Sequence, residues 1–373
     1  MTEVPTTAPR GSAAPPGRVF TIDPDGDARW ASWVRSRPDG VVFQHPAWLQ
    51  VLRRAYGYPP TCLAFEDAGG RLHGVLPLLA TRGLVTGRRL ACLPHTPVAG
   101  PLADAPEVSA ALLRAAVQVA GVTGQRLLVK APSPGLAEDV AGLSAVRWDD
   151  TYVVDVPERP EDLRFGSSRN HARIRWAVRK AERLGLAVRD AETPDDLRAW
   201  YRLYLETMRW HAVPPRPYRL FEAMWELLRP AGMMRLLLAE QAAGGRARVV
   251  AGSVILTCGQ TATYAFNGRR PDALALRPND VIQWTVIPQL CAAGVRAYDL
   301  GEVGADQAGL ADFKSKWGAT ARPLYRYHHP ARAGRRPDAL GAVGALRRVA
   351  DAAWRRMPLP ATARVGDWLY RHA

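Results

Sequence analysis

From Leu186 to His328, short apolar runs alternate with longer segments of helical period, and this alternation leaves a chain little choice but layered α/β structure. Strands are expected at Leu186–Arg189, Met233–Glu240, Ala247–Thr257, Thr261–Phe266, Tyr298–Leu300 and Pro323–His328. Helices are expected between them. One starts at the Thr193-Pro194 cap and runs to about His211; others cover Pro217–Leu228 and Pro278 to about Gly294, with a short one around Lys314. The preceding half has a looser version of the same pattern. Its expected elements are a helix at Pro46–Tyr56, a hairpin of Thr61–Glu66 with Leu72–Thr81, a helix at Pro106–Val122, and strands at Arg126–Lys130 and Thr151–Val156. A strongly basic helix over Ser168–Leu184 joins the two halves.

The densest chemistry lies in YDLGEVGADQAGLADFKSKWGA, Tyr298 to Ala319. A short strand enters a Gly-rich loop, and a short helix then carries Phe313, Lys314 and Lys316. The chain has only four lysines (Lys130, Lys180, Lys314 and Lys316), and two of them fall in this run. An ammonium is a compact point charge, suited to phosphate or to developing negative charge. A solvated helix face that happens to use lysine would look the same in the sequence.

Composition narrows the partners. The chain has 373 residues and a formal net charge of +15, and 47% of its residues are hydrophobic. That suits one elaborate domain or two ordinary ones, with real cores. The charge favours an anionic partner, although it is nearly all arginine and partly reflects an Arg-, Ala-, Gly- and Pro-rich composition. Cys62, Cys92, Cys258 and Cys291 are far apart in apolar stretches and form no CxxC pair, so they read as buried, reduced thiols of a cytosolic protein. Residues 1–18 read as a disordered segment, and neither a signal peptide nor a membrane span is expected. No metal set is expected, since His328-His329 lacks partners at ligand spacing.

Several segments together resemble the FemAB-like branch of the GNAT acyltransferases. RPNDVIQWTVIPQLCAAGVRAYDLGEVGADQAGLADFKSKWGA resembles the branch's C-terminal signature: an N-D pair opening a helix, an aromatic-D-x-G turn, and F-K-x-x-W-G, here one residue shorter. SSRNHARIRWAVRKAERLGLAV is similar to its basic helix. FQHPAWLQVLRRAYG and HGVLPLL look like its N-terminal half, and WRRMPLPATARVGDWLYRH resembles the tail of a subgroup associated with exopolysaccharide and protein-sorting loci. The likeness runs from about Phe43 onward. It implies an α/β fold of two tandem GNAT-like halves, with mixed central sheets flanked by helices. The boundaries expected are 19–157 for the first half, 158–330 for the second and 331–373 for a basic amphipathic tail.

The resemblance also implies an activity: transfer of an aminoacyl or acyl group from a phosphate-bearing carrier to an amine. The carrier would be aminoacyl-tRNA or acyl-CoA, used as a substrate with no tightly bound cofactor. The acceptor would be a small molecule or a lipid-linked cell-envelope precursor. Lys314 matches the F-K lysine and would face a substrate phosphate or the tetrahedral oxyanion, with Phe313 packed beneath it. Lys316, two residues on, is expected to point outward. The loop NGRRPDALALRPND would cradle the donor phosphates through Arg269, Arg270 and Arg277, together with Asn279 and Asp280 at the helix start. It lacks the Q/R-x-x-G-x-G/A pattern of acetyl-CoA users, which favours aminoacyl-tRNA.

Asp299, Glu302 and Asp306 are the candidate bases at the end of the strand before the lysine helix; Glu302 stands where family members often carry Arg. Asn267, Trp210, His211 and Tyr218 are candidate substrate contacts, although Tyr204 and Trp210 read first as aromatic core. The basic tail would pack on the body or touch anionic lipid through Trp368 and Tyr370, at the inner face of the membrane. The competing reading is a non-catalytic protein that binds nucleic acid or a membrane surface through the basic helix and tail.

Overall fold

The computed structural model describes residues 16–84, 87–94, 96–243, 246–331 and 350–372. The segment expected to be disordered lies mostly outside these residues, as does the first part of the tail. The chain begins β1 (Gly17–Ile22), α1 (Ala28–Ser36), α2 (Pro46–Tyr56), β2 (Cys62–Asp67) and β3 (Leu72–Leu76). It continues β4 (Leu79–Gly83), β5 (Gly87–Ala91), β6 (Leu102–Ala103), α3 (Pro106–Val122), β7 (Arg126–Ala131) and β8 (Ser144–Asp155). The second half holds α4 (Ser168–Arg183), β9 (Leu186–Asp190), α5 (Pro194–Trp210), α6 (Tyr218–Leu227), β10 (Met234–Ala243), β11 (Arg246–Cys258) and β12 (Thr261–Arg269). It closes with α7 (Pro278–Ala292), β13 (Ala297–Val303), α8 (Ala308–Lys316) and β14 (Thr320–His329), followed by a tail helix, α9 (Leu359–His372).

Local chemistry accounts for the clearest boundaries. The Thr193 hydroxyl accepts from Asp196 N and the Asp196 carboxylate accepts from Thr193 N, a capping box that starts α5 with Pro194 at its first position. Gly57, in the left-handed region at φ 74°, ends α2. The run Leu72–Thr81, expected to be one strand, is two. Pro77 has no N–H for a ladder, and the chain crosses there from one sheet to another.

Two sheets result. A small antiparallel one has the order β1-β2-β3-β6, and a ten-stranded mixed one runs β4-β5-β7-β14-β8-β13-β12-β11-β10-β9. The large sheet belongs to both halves because their last strands are exchanged. β14, from the end of the second half, pairs antiparallel with β7 of the first; β8, from the end of the first, pairs antiparallel with β13 of the second; and β8 and β14 pair with each other. One core lies under α2, α3, α5 and α6 around Trp30, Trp200 and Phe221. A second, around Tyr298 and Trp317, lies between the second half's strands and α4 and α7. The four cysteines are buried and unpaired.

The tail helix packs on the body. Tyr370 donates its hydroxyl to Pro214 O (3.3 Å), Tyr58 donates to Tyr370 O (3.0 Å), Asp367 pairs with Arg219, and Gly366 sits against Pro215 too closely for a side chain. Of the two aromatics expected to face lipid, Tyr370 is therefore turned inward, while Trp368 stays 53% exposed. Among the described residues, no helix is long and apolar enough to cross a membrane.

Candidate active site

β12 and β13 run parallel for only three residue pairs, Thr261–Thr263 against Ala297–Asp299. Beyond them β12 stays with β11, and β13 bulges between Asp299 and Glu302 as it follows β8. The two strands fork, and a cavity of about 360 Å³ opens between Thr263–Phe266 on one arm and Gly301–Glu302 on the other. The first half closes its far side with Phe43, Trp48, Thr96, Pro97 and Lys130; Arg216 and Arg326 complete the wall.

The Asp299 carboxylate shapes this arm. Its Oδ1 accepts from Gly301 N (2.7 Å) and from the Thr151 hydroxyl, which holds the bulge, and burial raises its pKa. Gly301 has φ 88°, a left-handed conformation that favours glycine. Glu302 follows and lines the cavity. Trp148 Nε1 donates to its Oε2 (3.1 Å), and burial raises its pKa against the opposing pull of Lys130 and Arg326.

Lys314 stands behind this turn, only 5% exposed. Its Nζ donates to Gly301 O (2.8 Å) and Glu302 O (3.1 Å), and burial lowers its pKa to about 8. It does not itself line the cavity. It holds the strand that carries Glu302, and it places a positive charge at the root of the fork.

Three cations in the cavity wall escaped the sequence reading. Lys130, on β7, donates to Thr96 O, and burial lowers its pKa to about 8. Arg326, on β14, stacks over Trp148. Arg216, between α5 and α6, is fixed through its backbone: its N–H donates to the Tyr204 hydroxyl (3.1 Å) and its carbonyl accepts from the Tyr201 hydroxyl (3.0 Å). Its guanidinium lies 4.1 Å from the ring centre of Tyr370. The scarcity of lysine was the one signal for Lys130. Nothing local marks Arg216 or Arg326, because the fold brings them in from distant segments.

The other expected residues are dispersed. Lys316 does not point outward. It forms a buried ion pair with Asp280, the two side chains being 13% and 4% exposed, and its ammonium lies 4.8 Å from the Phe313 ring centre. Asp280 is thus engaged with Lys316, and Phe313 packs with Lys316 rather than beneath Lys314. Asn279 accepts from Asn267 Nδ2 (3.1 Å), which joins the start of α7 to β12. Arg270 pairs with Asp272. Arg277 is exposed at φ 59°, and Arg269 N donates to the Thr207 hydroxyl (2.8 Å).

Trp210 ends α5 at 58% exposure, so it is not core, whereas Tyr204 is. His211, beside it, has its pKa lowered by burial and by Arg269 and Arg355. Tyr218 meets Tyr201 edge to face at 5.1 Å. Of the expected catalytic and binding residues, only Glu302 lines the cavity; Asp299 and Lys314 support it from behind. Asp306 is exposed in the following loop.

A mixed sheet that forks between two parallel strands, with a helix crossing over between them, is the arrangement of a GNAT-type fold. The comparisons agree. Residues 168–315 match the family model described as acetyltransferase (GNAT) domain. FemX shares the fold at a TM-score of 0.68 and 15% identity, over 83% of this chain and 96% of that one. The C-terminal domain of a putative lysylphosphatidylglycerol synthetase from Agrobacterium fabrum is similar at a TM-score of 0.55 and 16% identity, over 89% and 96% of the two chains. L-PGS from Bacillus licheniformis is similar at 0.51 and 13%, over 84% and 98%. No curated protein sequence matches the chain. Residues 168–315 are thus a GNAT acetyltransferase domain, and the chain shares its fold with FemX.

Proposed function

We propose that this acyltransferase moves an acyl or aminoacyl group from a phosphate-bearing carrier to an amine whose own anionic part lies against Lys130, Arg216 and Arg326. The observation that carries the reading is the cavity at the fork, where three cations face one carboxylate, Glu302, whose pKa is raised. In this scheme the acceptor nitrogen attacks the carrier's acyl carbon. A C–N bond forms, and the ester or thioester bond to the carrier breaks. Glu302 takes the proton that the nitrogen loses, and the carrier leaves as its alcohol or thiol after taking up a proton. Lys314 keeps Glu302 in place and offsets negative charge on the tetrahedral oxygen.

Both carriers, acyl-CoA and aminoacyl-tRNA, remain consistent with the fork. The surface of α4 favours the larger polyanion. Among the described residues, Arg169, Arg173, Arg175, Arg179 and Arg183 make no ion pair, and Trp176 is 54% exposed beside them. The names FemX and lysylphosphatidylglycerol synthetase among proteins of this fold support a cell-envelope acceptor, reached from the cytoplasmic side of the membrane. The domain limits 19–157 and 158–330 remain our working division.

The test is transfer of labelled acyl groups from charged tRNA and from acyl-CoA to amines with and without a phosphate or carboxylate. Lys130→Met should raise KM for the anionic amine at least tenfold and leave a neutral amine unaffected. Equal KM for both amines in the parent protein would remove the anionic subsite from the scheme.

A further inference from the structure

The hairpin of β4 and β5 ends against the last turn of α9, and there the molecule presents a composite patch. Leu84 N, just beyond β4, donates to His372 O (2.8 Å), which ties that strand's end to the end of the helix. His372 Nδ1 contacts Trp368 O (2.8 Å), and the two rings stack with centres 5.1 Å apart. The patch exposes two large apolar side chains, Leu84 at 70% and Trp368 at 53%.

Cations surround them. Arg82 and Arg88 are register partners across the hairpin, and both are exposed. Directly paired residues share a face of the hairpin, and Leu84 follows in the turn just beyond β4. Arg364 lies one helical turn before Trp368 and Arg371 one turn after, on the same stripe of α9. The only carboxylate on these three elements is Asp367, and it is engaged by Arg219 and Arg371.

We propose that this patch docks the protein on an anionic phospholipid surface, with Leu84 and Trp368 entering the interface and the arginines meeting the headgroups. An exposed leucine argues against a nucleic-acid backbone as the occupant, because phosphate and sugar offer it no apolar partner. A bilayer boundary accepts leucine and tryptophan and rewards cations around them. The placement also has a use. Two residues from Trp368, Tyr370 lies under Arg216, which lines the cavity, so α9 presents lipid on one side and supports the site on the other. The proposal does not depend on the transfer reaction.

Flotation of the full chain with phosphatidylcholine vesicles, with and without about one-third phosphatidylglycerol, tests it. The parent should float only with the anionic vesicles. Leu84→Ser/Trp368→Ser should lower the partition coefficient at least tenfold with little change in melting temperature, since both side chains are more than half exposed. Arg82→Gln/Arg88→Gln should lower it several-fold and flatten its salt dependence. The proposal is overturned if the parent does not float, if the patch variants float as well as the parent, or if Arg175→Gln/Arg179→Gln on α4 abolishes flotation while the patch variants do not. A self-association that the patch variants dissolve, with no flotation by the parent, would make the occupant a second copy of the chain.

Discussion

The two halves use one device with opposite results. In the first half, β5 and β7 run parallel for three pairs, Arg89–Ala91 against Arg126–Leu128, with α3 crossing between them; in the second, β12 and β13 do the same with α7. Each pair then forks. The first fork is filled. Cys92 N donates to Leu128 O (2.7 Å) and Ala99 N to Lys130 O (3.2 Å), so the segment after β5 folds back into the gap, and Gly100 sits where a Cβ would lie 2.7 Å from that of Ala131. The second fork stays open because β12 continues along β11 to Arg269 and offers its other edge to the cavity. The plugged fork forms a wall of the open one, and its Lys130 lines the neighbour's cavity. Of two forks built alike, only the unfilled one leaves a cavity.

This comparison can be broken or sharpened at graded cost. The largest effect should come from the pair that ties the helix after β12 to the helix after β13. Lys316→Met would leave Asp280 buried and unpaired, and stability in denaturant unfolding should fall by about 3 kcal/mol. Lys316→Met/Asp280→Leu should recover most of that, and an unchanged stability in the single variant would show that the pair does not brace the open fork. Next is Lys314→Ala. Transfer should fall about a hundredfold, roughly 2.7 kcal/mol of barrier, with KM little changed, because the loss is of charge and positioning at the fork and not of a cavity contact. Full activity in that variant would detach the lysine from the chemistry.

The plug is probed by adding volume. Gly100→Val should destabilise by about 2 kcal/mol, since that fork is full, whereas Ala265→Val, lining the open one, should cost less than about 0.5 kcal/mol. Equal costs would mean that the two forks are packed alike.

The smallest effect concerns the far end of the plug. His73 lies between Asp67 (2.9 Å) and Asp104 (2.7 Å); burial alone would lower its pKa, but the two carboxylates outweigh burial and raise it. A raised folded pKa means stability that is fully present below about pH 6.5, the unfolded value, and lost as pH rises through the folded value. The parent's stability should drop slightly more than that of His73→Gln across this window. Parallel pH profiles would leave the histidine neutral.

Much of the fold was legible. The limits of α2 and α3 were read to the residue, because a proline marks each first turn and the apolar stripe shows the rest. The elements missed, β1, α1, β5 and the two-residue β6, are short, and they draw stability from neighbours rather than from their own pattern. Lys316 was misjudged for a related reason. Spacing on a helix says which residues share a face, but not which face another element will cover, and here the start of α7 covers it.

By itself the sequence determined the succession of strands and helices, the lysine turn after Tyr298 and, through its motifs, the acyltransferase class. Those properties reside in residues close together in the chain, where period, caps and glycine act locally. The tertiary structure alone decided that β8 and β14 change places, that the first fork is plugged, and that Lys130, Arg216 and Arg326 meet Glu302. These depend on contacts between residues tens to hundreds of positions apart, and such contacts form only when buried surface and paired backbone groups compensate the entropy of closing so long a loop.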